Sequence, residues 1–232
     1  MRIVGHVAHV TASLYAETMT NSQASVDLGA LYGAARQRIT ALVTADGVDL
    51  ETIVPATPAW RVRDVVAHLA GVTADAIGGN MEGAPGEVWT AAQVARGRDR
   101  ALTDLLEDWA KFGAMLEGFL SSPAGAPAAA AVIDVHSHEA DIRHALGLSF
   151  EIPSTFLGWS MERLRDGFHT AVVEANLPPV TLKVADAELL RARLGRRTAA
   201  EVSAYGWSTD PAPYLDTFFL FGPAERSIGE HL

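Results

Sequence analysis

Apolar residues recur at helical intervals through the first 147 residues of the chain. Leu28, Leu31, Tyr32, Ala35, Ile39 and Leu42 fall on one stripe of a 3.6-residue period, with Asp27 placed to cap the first turn and Asp46–Gly47 closing the helix. Two prolines within residues 49–58 read as a loop, after which Val62, Val65, Val66, Leu69 and Val72 predict a second helix. Gly78, Gly79, Gly83, Pro85 and Gly86 form a further loop. Thr90 and Gln93 then have the spacing of a capping box, predicting a third helix that carries Val94, Leu102, Leu105, Leu106, Trp109, Phe112, Leu116 and Phe119. Residues 121–127 break the chain, and the alanine run from Ala128 leads into a fourth helix ending at Gly147. Amphipathic helices in succession, with no alternating strand pattern between them, imply a four-helix bundle.

Beyond residue 150 the pattern changes. Pro153 and Ser154 open a helix bearing Phe156, Leu157, Leu164, Phe168 and Val172; Val180–Val184 alternates like a single strand; Asp186–Leu194 reads as another helix. The last 30 residues are rich in aromatics and proline. The fold class expected is mainly α: a four-helix bundle with a small C-terminal α+β cap. The organisation is an N-terminal extension over 1–26, the bundle over 27–150, and a segment over 151–232 that packs on it.

Composition narrows the function. At 232 residues and 49% hydrophobic, the chain can bury a core without help. A net charge of −10 argues against nucleic acid or an anionic membrane as partner, since both select a basic surface. With no cysteine there is no disulfide, thiolate ligand or cysteine nucleophile, so any sulfur chemistry must use an outside thiol. The first 18 residues hold one basic residue and no unbroken apolar run, and no stretch approaches the roughly 20 apolar residues of a membrane span. The reading is a cytoplasmic protein, monomer or homodimer, starting at Met1 or Met19.

Metal-ligand chemistry stands out in two of the helices. His68 shares the apolar stripe of the second helix, three residues after Val65 and four before Val72, and so points inward. Asp134 and His138, four residues apart, stack on one face of the fourth helix. Two imidazoles and a carboxylate are a set that leaves zinc an open coordination position. Asp141, one turn after His138, is spaced to accept the proton on that imidazole's far nitrogen, or is a plain packing or solvated carboxylate. His136, Glu139 and His144 read as solvent-facing. Arg196 and Arg197 are either a carboxylate clamp or a solvated helix end, and Arg226 is a second candidate anion binder with a catalytic role.

The segments PAWRVRDVVAHLAG, HEADIRHALG, ELLRARLGRRTAAEV and YGWSTDPAPYLDTFFLFGP resemble the family of mycothiol-dependent maleylpyruvate isomerases and their actinobacterial relatives, within the wider DinB/YfiT-like metal-binding bundles. The resemblance runs from about Leu28 to the end. It implies a divalent metal, usually zinc, held by a histidine of the second helix and an E-x-x-x-H pair of the fourth. Those positions are His68 and His138 here, with Asp134 where the family has glutamate, one methylene shorter. The C-terminal part is shorter than the isomerase's α/β domain, so the substrate does not carry over. The expected activity is a metal-dependent isomerase or S-transferase that uses mycothiol or another low-molecular-weight thiol on a small electrophile. The alternative is a non-catalytic metal-binding, sensor or stress-response bundle.

Overall fold

The computed structural model describes residues 26–230, which divide into two compact units with the boundary between Ser149 and Phe150. The N-terminal extension expected over 1–26, and with it the choice between Met1 and Met19, lies almost wholly outside the described residues.

In the first unit, α1 (Leu28–Val43) starts where Asp27 accepts the Ala30 N–H at 3.0 Å, and it buries Leu28, Tyr32, Ala35, Ile39 and Val43 along one stripe. Helix α2 (Val62–Gly78) begins with Asp64 accepting the Arg61 N–H at 3.0 Å and ends at Gly79, whose φ of 75° suits a residue without a Cβ. It packs on α3 (Glu87–Gly97), α4 (Leu102–Leu120) and α5 (Ala130–Ala145), while α1 packs on α4 and α5. The core helices α1, α2, α4 and α5 are the expected bundle.

Two expectations need correction here. Residues 90–119 are not one helix. Thr90 lies inside α3, its hydroxyl bonded back to Gly86 O at 3.1 Å, and the chain turns between Gly97 and Leu102. Gly97 is where α3 presses on α2: a Cβ there would stand 2.4 Å from the Ala67 Cβ. The polar run Arg98–Arg100 that follows has no apolar residue to extend a buried stripe. The second correction concerns α5, which is buried nearly all round: His136 and Glu139 are 2% and 0% exposed, not solvent-facing, and His144 is half-buried. Arg38 of α1 holds Glu139 through a two-oxygen fork at 2.8 and 2.6 Å, with Arg143 adding 3.2 Å. His136 donates from Nδ1 to Val132 O at 2.9 Å, and burial pushes its pKa down to about 4, so the ring is neutral.

The second unit contains α6 (Ser154–Glu174), β1 (Leu182–Lys183), α7 (Asp186–Arg193), α8 (Ala199–Ser203), β2 (Gly206–Trp207) and α9 (Leu215–Phe218). The strand expected over 180–184 is shorter and has a partner: Leu182 pairs with Trp207 and Lys183 with Gly206, antiparallel. Phe168, Trp207, Tyr214, Phe218 and Phe219 interlock mainly edge to face with centroids 5.1–6.1 Å apart. Arg197 is no free clamp: it is buried, bonded to Glu188 at 2.6 and 2.7 Å and to Glu230 at 2.9 Å. Arg196 bonds the Leu194 carbonyl.

Candidate metal centre

Helical spacing places His68 on α2 and the Asp134/His138 pair on α5, and the contact of these two helices brings the three together. Their ligand atoms all lie within 4.8 Å of one another. His68 Nε2 is 3.5 Å from Asp134 Oδ2, and His138 Nε2 is 3.5 Å from Asp134 Oδ1. Those distances are long for hydrogen bonds but close to the edge of a donor tetrahedron, about 3.4 Å when metal–ligand bonds are about 2.1 Å. Two imidazole nitrogens and a carboxylate within that span are a set that could hold a divalent ion. The two imidazoles are 6–7% exposed and Asp134 is 34% exposed, so the group opens on the carboxylate's side.

Each imidazole is held from behind. His68 Nδ1 lies 2.8 Å from Gln93 Oε1. Gln93 Nε2 donates to Asp75 Oδ2 at 2.9 Å, and the same oxygen accepts from Arg96 Nη2 at 2.7 Å. Burial opposes the charge on Asp75, but donors from Asn80, Gln93 and Arg96 outweigh it and hold this carboxyl below its ordinary range. His138 Nδ1 is 3.0 Å from Asp141 Oδ2, off the hydrogen-bond axis, so the contact is electrostatic more than directional.

Trp60 forms one wall. The turn before α2 fixes it, with Val54 N–H donating to Trp60 O at 2.9 Å and Trp60 N–H to Thr57 O at 2.7 Å. Its ring stands 5.1 Å from His68 and 6.0 Å from His138. Tyr32 of α1 accepts from Trp109 Nε1 at 3.0 Å; burial raises its phenol pKa, and the Asp134 charge raises it further. Sequence reasoning assigned no role to Trp60 or Asp75, placed Tyr32 on the apolar stripe of the first helix and took Gln93 as part of a capping box. Asp75 did carry a signal, since it lies seven residues after His68 and so on the same face of α2.

A model of the mycothiol maleylpyruvate isomerase N-terminal domain matches residues 32–146. Through this domain the chain belongs to that family. His68, Asp134, His138 and their partners Gln93, Asp75 and Asp141 all fall within the mycothiol maleylpyruvate isomerase N-terminal domain, whereas Arg226 lies outside it, on an exposed bend of the second unit. No curated protein and no solved structure matches the chain. Among the described residues no helix is long and apolar enough to cross a membrane.

Proposed function

We propose that the protein is a metal-dependent enzyme that uses a small thiol, mycothiol or a close equivalent, to isomerise or conjugate a small electrophile. The observation that carries this reading is the grouping of His68, Asp134 and His138 with ligand atoms within 4.8 Å of one another, Asp134 partly open, in a domain of a mycothiol-associated family. These side chains would hold a divalent ion, zinc being the natural choice for two imidazoles and a carboxylate. When bound, that ion supplies the positive charge that keeps a thiol deprotonated at neutral pH.

The chain's own residues do the rest. His68 and His138 as neutral imidazoles and Asp134 as the single carboxylate would leave a bound dication with a net positive charge. Trp60 walls one side of the site and limits water there. The thiolate sulfur adds to the electrophilic carbon of an activated double bond and the electron pair moves into the activating group. Rotation about the resulting single bond and expulsion of the same thiolate is isomerisation; protonation of the adduct is conjugation.

The test joins metal content to thiol chemistry. Protein purified without added metal carries about one divalent ion per chain by elemental analysis, and a thiol-conjugation screen gives turnover only with mycothiol or a similar thiol present. A cobalt-substituted protein whose spectrum no thiol perturbs would remove the thiol from the reading.

A further inference from the structure

We infer that Arg96, Asp75 and Gln93 form a polarity relay that sets the tautomer of His68, keeping its proton on Nδ1 and its Nε2 lone pair turned toward Asp134. The inference rests on the metal-site reading for its purpose, but its geometry is independent of any ion.

The argument runs along the bonds. An ionised carboxylate has no proton to give, so every partner of Asp75 must donate. Its Oδ1 takes Asn80 Nδ2 at 3.0 Å, and its Oδ2 takes Arg96 Nη2 at 2.7 Å and Gln93 Nε2 at 2.9 Å. An amide has one donor end and one acceptor end. With its NH₂ committed to Asp75, Gln93 can offer His68 only its oxygen, 2.8 Å from Nδ1. That oxygen accepts, so Nδ1 is the protonated nitrogen of a neutral ring, and Nε2, which faces Asp134 Oδ2, carries the lone pair. Were the amide reversed, its NH₂ would face Nδ1, the ring proton would move to Nε2, and the ring would present a donor where a ligand atom is needed. All three bonded groups, His68, Gln93 and Asp75, are 6% exposed or less, so water does not substitute for them.

A close approach of two helices makes the relay possible. A Cβ at Gly71, one turn after His68, would lie 2.7 Å from the Gln93 Cβ and 2.8 Å from its Cγ. Only glycine at 71 lets the glutamine stem lie flat on α2 and reach both His68 and Asp75, which sit on one face of that helix.

The deciding variant is Asp75→Asn, which keeps the shape but gives residue 75 a donor as well as an acceptor, freeing Gln93 to turn either end to His68. The readout is the His68 tautomer, from long-range ¹⁵N–¹H correlation spectra of histidine-labelled, metal-free protein. Wild type should show Nδ1 protonated and Nε2 bare; Asp75→Asn and Gln93→Leu should shift the ring toward the Nε2-protonated form. A wild-type ring protonated at Nε2 overturns the inference without any variant, as does an unchanged tautomer in a folded Asp75→Asn protein. Zinc titrated against a chelator then decides the metal-site reading separately. Affinity in Asp75→Asn should fall about 10-fold or more, and a wild type that binds no zinc overturns that reading while the spectra still decide the relay.

Discussion

Gly71→Ala is the sharpest probe of how the bundle builds its site. On an isolated helix the change should stabilise, by about 1 kcal/mol, because alanine is the better helix former. Here the new Cβ would stand 2.7 Å from the Gln93 Cβ and 3.4 Å from its Cα, whereas carbon atoms rest about 3.5–4.0 Å apart. The nearest atoms are the root of the glutamine side chain, not a flexible tip, so relief requires α3 to move off α2 by about 1 Å. Gly97 leaves little slack, since the same two helices also touch at Ala67. Overpacking of this kind costs about 1–3 kcal/mol, so the net effect runs from neutral to about 2 kcal/mol destabilising. In a chain of this size that is a fall in Tm of about 0–8 °C. The same displacement stretches the 2.8 Å bond between Gln93 and His68 beyond hydrogen-bond range. Metal affinity should therefore fall even if Tm barely moves. Scanning calorimetry and chelator competition on the one variant check both. A protein stabilised by the full helix-propensity gain, with zinc affinity unchanged, would refute the packing argument and with it the structural reason for glycine at this position.

Three further outcomes are expected. His68→Ala or His138→Ala should abolish the bound ion, and full metal content in both would show that the ion sits elsewhere. Asp134→Glu should tighten zinc binding if the shorter carboxylate leaves the ion under-reached, and Asp134→Asn should weaken it by removing the charge; equal chelator-competition affinities for all three proteins would take Asp134 out of the ligand set. In the second unit, burial works to raise the Glu230 pKa, but Arg191 and Arg197 outweigh it and hold the carboxyl below its ordinary range. A carboxyl with a depressed folded-state pKa contributes stability that is fully present above its unfolded value of about 4.3 and is lost as pH falls through the folded value. Urea midpoints followed by tryptophan fluorescence should therefore drop more steeply below about pH 4 in wild type than in Glu230→Gln, and parallel curves would count against this ion pair.

The helices α1 and α2 were legible from single residues because their apolar stripes depend only on the 3.6-residue period. That same period turns His68 inward and stacks Asp134 under His138, so the candidate ligand residues could be named from their spacing and from the family resemblance. It failed where burial has no polar side. His136 and Glu139 sit on a helix enclosed nearly all round, and a periodicity argument assumes one face toward water. Nor did it find the break after Gly97, where the polar run Arg98–Arg100 offers no apolar stripe and Gly97 closely approaches Ala67, 30 residues away in the chain.

What the amino-acid sequence determined by itself was which residues share a face: backbone geometry repeats every turn, whatever the rest of the molecule does. Which faces meet was decided only by the tertiary structure. Gln93 becomes the partner of His68, not a helix cap, because α3 lies against α2 over Gly71, and the 3.5 Å separation between His68 and Asp134 exists because α2 meets α5. Those contacts depend on the shapes of side chains distant in sequence, and no local period encodes them.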